Sequence, residues 1–167
     1  MGRVRCPSGL VAFRTSPPTT SNVTDARLFI SPDGQGWVPW DGAARPGVRW
    51  YALHRPTANT QASVTVPAPG LGFCLIAESI TVTLVGGSSA PSAASVNVSL
   101  INGGSGGSDY RWGTVLGIAA VAGATSGAVV NADFSGSENT GLTLEFSANA
   151  GANTLESVAF HGRVATI

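Results

Sequence analysis

Four glutamates supply the carboxylates a hydrolase would need: Glu78, Glu138, Glu145 and Glu156. Two such groups flanking a glycosidic bond can act as acid and base, or as acid and nucleophile. The residues around them point elsewhere. Leu142, Leu144 and Phe146 alternate with Thr143, Glu145 and Ser147, the period of a half-buried antiparallel strand, which places Glu145 on the solvated face. Glu156 is expected on the solvated face of an adjacent or nearby strand, so a wall-hydrolase reading would need both groups to converge in a cleft. A Ser-His-Asp device lacks its nucleophile elbow, because Gly104-Ser105-Gly106 opens no helix. The run Gly103 to Gly107 lacks the lysine and the helix that a phosphate cradle requires. Asp33-Gly34-Gln35-Gly36 and Asp41-Gly42 offer too few oxygens for a dedicated calcium loop. Cys6, Cys74, His54 and His161 lie too far apart for zinc-ligand spacing. The sequence therefore assigns no catalytic residue, no cofactor and no metal site.

Binding is the chemistry that remains. Three of the four tryptophans, Trp37, Trp40 and Trp50, fall with Tyr51 in one short region. Such a group reads as a small core or a partner-contact patch, and as exposed rings it could stack on sugar faces. Partner contacts are also expected at Arg3, Arg5, Cys6 and Phe13 in the N-terminal stretch. His54 and His161 read as packed or surface histidines rather than switches. Cys74 reads as a small buried hydrophobe and Cys6 as a free thiol, with a Cys6–Cys74 disulfide as the alternative. The sequons Asn22-Val23-Thr24 and Asn97-Val98-Ser99 carry little weight where no secretory signal is expected.

Composition narrows the class of partner. Charged residues make up 11% of the 167, against roughly 25% in an ordinary soluble domain. Hydrophobic residues reach 43%, and the mean hydropathy is +0.22. A membrane span needs about 20 consecutive apolar residues, whereas the run Val115 to Ala124 is short and holds Gly117 and Gly123. A transmembrane barrel would want more strands and aromatic girdles. Every basic residue is arginine, scattered and matched by as many acids, so no basic stripe awaits nucleic acid. A surface largely covered by partner proteins is the better account.

Three regions are expected. Residues 1–25, rich in Pro, Ser and Thr, read as an extended arm that reaches over a neighbouring subunit. Residues 26–60 read as a Trp-rich β-hairpin region with turns at Pro32-Asp33-Gly34 and Asp41-Gly42. Residues 61–167 hold seven strands: 62–66, 72–85, 95–101, 110–120, 128–134, 142–148 and 155–165. Turn signals every ten or so residues fit an all-β antiparallel sandwich or jelly roll. The alanines of Val115 to Ala128 could support a helical turn, but glycines at 117, 123 and 127 argue against one.

The block from about Ser79 to Ala165 resembles the β-sandwich structural domains of tailed-bacteriophage virion proteins. The features that carry the resemblance are ESITVTLVGG, the loop INGGSGGSDYRWG, the turn-strand-turn GSENTGLTLEFSANAGAN and the last strand ESVAFHGRVATI. It implies a non-enzymatic capsid decoration (cement) protein, made in the host cytoplasm and built into the virion. The expected partners are sister subunits, as a homo-oligomer and most simply a trimer, and the major capsid or neck and tail proteins. The alternative is a neck, tail or fibre component with a carbohydrate- or receptor-binding role, which would show Trp37, Trp40 or Trp50 exposed in a groove.

Overall fold

Runs in which Val, Ile and Leu alternate with Thr and Ser favour extended chain with one oily face, and the computed structural model is all-β. It describes residues 47–167 in full and, before them, the backbone of four strands only: β1 (Val4–Arg5), β2 (Val11–Ala12), β3 (Asp25–Ile30) and β4 (Trp37–Pro39). Then come β5 (Arg49–His54), β6 (Ser63–Val66), β7 (Phe73–Gly86) and β8 (Ala94–Asn102). The chain continues with β9 (Tyr110–Ile118), β10 (Thr125–Ser135), β11 (Leu142–Phe146) and β12 (Thr154–Thr166).

Two antiparallel sheets stack face to face. The larger runs β10-β7-β12-β5-β3-β4 and the smaller β6-β11-β8-β9. From β5 onward the pairings nest: β8 with β9, β7 with β10, β6 with β11, β5 with β12. The chain is thus one long hairpin rolled into a sandwich, and the added pairings β7–β12 and β8–β11 close the roll. This is jelly-roll topology. Its tip is the Gly/Ser loop between β8 and β9.

Alternation places the core. Ile80, Val82 and Leu84 of β7 and Val158 and Phe160 of β12 face inward from the larger sheet. Val98 and Leu100 of β8 and Leu142, Leu144 and Phe146 of β11 answer from the smaller one, and a single cluster joins them. Each such side chain, fully buried, contributes roughly 1.5–3 kcal/mol.

The seven strands expected between 61 and 167 are all present, and β10 begins three residues earlier than the alternation alone suggests. The region Val115 to Ala128 turns through Gly123 at a φ of 71° and forms no helix. Within residues 26–60 the expected hairpin pairing is present, β3 with β4 and β3 with β5, and these strands also extend the larger sheet, because β5 pairs with β12 from His54↔Val158 to Arg49↔Arg163. One expectation needs correction. β11 is not half-buried: all five of its residues are buried, Thr143 and Glu145 included. In the arm region β1 pairs with β2 through Val4↔Ala12 and Arg5↔Val11. The contact residues Arg3, Cys6 and Phe13 lie outside the described residues, as does Trp40. Only the backbone of Arg5 and Trp37 is described.

The larger sheet is bent at one point. Glu78 of β7 has no register partner on β12, where His161 pairs with Ser79 and Gly162 with Ala77. The β10 register slips at the same level, between Asn131 and Phe134. Beside this bulge Trp50 lies opposite Gly162 and meets Phe160 edge to face, with ring centroids 5.0 Å apart. A Cβ on Gly162 would sit 1.8 Å from the Ile76 carbonyl oxygen and 2.7 Å from the indole. Only glycine lets β12 pass between the indole and the bulged strand. Gly162→Ala should therefore cost about 3 kcal/mol or more in urea unfolding. Gly104→Ala, where an added Cβ meets nothing within 4 Å, should stay within about 0.5 kcal/mol.

Candidate functional site

The two carboxylates that drew attention in the sequence do not converge, and neither faces solvent. Glu156 shares the inward parity of Val158 and Phe160, and it is 1% exposed. One of its oxygens accepts the Ala62 amide and the other the Ala150 amide, each at 2.7 Å. It therefore fastens the loop before β6 to the loop before β12. Asn59, at a φ of 64°, reinforces that end: its side-chain oxygen accepts the Asn153 amide at 2.6 Å. Burial pushes the Glu156 carboxyl above its ordinary value of 4.5, against the opposing pull of the two amides.

Glu145 stands on the other side of the smaller sheet, on its outer face, and is 5% exposed. The hairpin-tip loop folds back over it. Oε1 accepts the Gly106 amide at 2.9 Å, while Oε2 accepts the hydroxyls of Ser63, at 3.1 Å, and Ser105. One row along, Thr143 donates to the Gly103 carbonyl at 2.6 Å and accepts from Thr65 at 2.8 Å. Ile101, 2% exposed, is sealed by the same loop, where a Cβ on Gly107 would come within 2.9 Å of its methyl. The Gly/Ser run is a lid over β11, built of residues small enough to lie flat.

The third glutamate is also engaged. Glu78, at the bulge, accepts from Arg49 at 2.7 Å and from Arg163, which also donates to Asp133 at 2.9 Å. Glu138 accepts the Gly72 amide at 2.7 Å. Among the described residues no three His, Cys, Asp or Glu side chains come together as a metal site would require. His54 accepts the Ser63 amide through Nδ1 at 3.1 Å, a packed role. Cys74 is buried with a free thiol.

Of the aromatic group, Trp50 is 1% exposed and belongs to the core, so it is not a surface for partners or sugars. Tyr51 is half-buried, and burial pushes its phenol above 10, with Arg55 pulling the other way. Neither the indole N–H nor the phenol oxygen has a hydrogen-bond partner among the described residues.

An open depression of about 430 Å³ lies on the outer face of the smaller sheet, beyond the lid. Asn97, Ser99, Tyr110, Gly113, Val115 and Ser147 line it. Strand alternation alone sets Tyr110 on the opposite face from Gly113 and Val115, and only the register shift between Leu100 and Ile101 brings the three together, so the sequence carries no direct signal of this strip. Comparison of the chain with protein-family models and with curated proteins gives no match.

The carboxylates are testable as struts. Glu156→Gln puts an NH2 against a backbone N–H and should destabilise the fold by about 1–3 kcal/mol. Because burial raises its pKa, the folded chain holds this proton more tightly than the unfolded chain does. The group's own contribution to stability is then complete below 4.5 and fades as pH rises through the raised value. Denaturant titrations over pH should show the gap between native chain and Glu156→Gln widening toward acid. A gap that narrows toward acid contradicts the raised pKa.

Proposed function

We propose that this chain is a non-enzymatic structural subunit of a tailed-bacteriophage virion, and that it is a capsid decoration (cement) protein. The observation that carries the reading is the use to which the acidic residues are put: Glu145 and Glu156, the candidate catalytic pair, each hold down loops on opposite faces of the smaller sheet. A jelly roll built this way is a rigid block with few charges. The fold is shared by viral capsid and lectin domains, a likeness at the level of architecture only.

The low charge, 11% of residues, suits a subunit whose sides are covered by sister copies, as a homo-oligomer and most simply a trimer. On the described side of the sandwich, β9 and β10 are both edge strands. From Thr125 to Ala132, β10 carries neither charge nor proline, the usual guards of a free edge. Residues 1–24 act as the tie to neighbouring capsid proteins, and β3 marks where the rolled domain begins. The alternative fibre role based on the tryptophans loses Trp50, which the core occupies.

The test is incorporation. A chain lacking residues 1–24 keeps β3 and should keep its unfolding midpoint, yet fail to sediment with capsids that the full chain decorates. A truncated chain that decorates capsids as well as the full one overturns the role given to the arm. Failure of the full chain to bind capsids, necks or tails overturns the virion reading itself.

A further inference from the structure

The lid covers Thr143 and Glu145 on the smaller sheet's outer face and leaves a strip beyond them open. Beyond it the register sets out a shallow trough: Asn97 faces Val115, Ser99 faces Gly113, and Ile101 faces Tyr110. Gly113 contributes no side chain, and a Cβ there would find only the Val98 carbonyl at 3.5 Å and the Ser99 hydroxyl at 3.7 Å. The floor between Tyr110 and Val115 is therefore low and open. Tyr110 is 62% exposed and Val115 61%, so two apolar surfaces flank that floor. Among the described residues, no hydrogen bond occupies the side chains of Asn97, Ser99, Tyr110 or Ser147, although polar groups nearby at Thr143 and Glu145 are fully engaged.

The lining decides the chemistry of the ligand. It holds no charged residue, which removes the groups that recognise phosphates, carboxylates or cations. It combines one exposed aromatic face with an amide and hydroxyls that can each donate and accept. That combination matches a molecule with an apolar C–H face and a rim of hydroxyls. A volume near 430 Å³ falls within the range of small-molecule sites. We propose that this trough binds a neutral hexopyranose of a glycan, its C–H face on the Tyr110 ring and its hydroxyls on Asn97, Ser99 and Ser147. Gly113 keeps the floor clear for the ring. A site this open binds each sugar weakly, and repetition across several copies of a subunit raises the effective affinity. The inference is independent of the structural role: a virion subunit can lack it, and a sugar-binding chain need not be a cement protein.

Titration of the isotope-labelled full chain tests it, with the methyl glycosides of glucose, galactose, mannose and N-acetylglucosamine as probes and backbone amide shifts as the readout. At least one probe should give saturable shifts concentrated at Asn97, Ser99, Gly113, Val115 and Ser147. Tyr110→Ala should weaken that binding about tenfold, while Tyr110→Phe, which keeps the ring, stays within about threefold. Gly113→Val should abolish it. The exposed Tyr110 can be changed without touching the core, so an unaltered unfolding midpoint accompanies the loss. The proposal fails if none of the four sugars gives saturable shifts, if the shifts map elsewhere, or if Tyr110→Ala binds as well as the native chain.

Discussion

A carboxylate taken out of water is tolerable only when its lone pairs are filled, and meeting that demand at Glu145 organises the smaller sheet of this jelly roll. The partners come from two directions. Ser63 offers its hydroxyl from the neighbouring strand β6, while Ser105 and Gly106 come from the tip of the β8–β9 hairpin. To reach Glu145 the tip must fold back across the sheet, which it does through Gly103 and Gly106 at φ values of 128° and 74°. Both values favour glycine, and they account for two of the four glycines between 103 and 107, while Gly107 is held small by Ile101. The result is a third layer. The larger sheet, the smaller sheet and the lid lie one upon another, with β11 sealed on both faces.

The opposite end of the roll uses the same device with different residues. Glu156, facing inward, draws Ala62 and Ala150 together, and Asn59 and Asn153 turn the chain there at positive φ. Buried acids thus do for the loops what charge pairs at the surface do weakly. The larger sheet adds a steric constraint of its own. Trp50 crosses β12 at Gly162, next to the bulge that aims Glu78 at Arg49 and Arg163. With Glu145 and Glu156 buried and Glu78 paired, the open trough at Tyr110 and Gly113 is left with no charged residue in its lining.

Much of the architecture was legible because strand periodicity is a local signal. Ile80, Val82 and Leu84 against Ser79, Thr81 and Thr83 announce β7 without reference to any partner, and Gly/Ser/Asn runs mark where strands stop. The fate of Glu145 was not legible in this way. Its parity with Thr143 and Ser147 correctly separates it from the core face, but whether an outer face is wet depends on a loop some 40 residues away in sequence. Glu156 was misread for a local reason. Leu155 invites the inward assignment, whereas counting back from Val158 and Phe160 turns Leu155 out, at 38% exposure, and Glu156 in. The membership of β5 in the sandwich rests on pairing with β12, across more than a hundred residues, and composition alone set the Trp-rich region apart.

Amide hydrogen exchange at Gly106 tests the lid directly. A Gly/Ser loop that merely links two strands exchanges its amides at nearly the rate of unfolded chain. In the structure described here the Gly106 N–H is held by Glu145, so it should exchange orders of magnitude more slowly, together with the amides of β11, and lose that protection in Glu145→Ala. Exchange of Gly106 at the unfolded rate in the native chain, or protection unchanged in Glu145→Ala, would contradict the account.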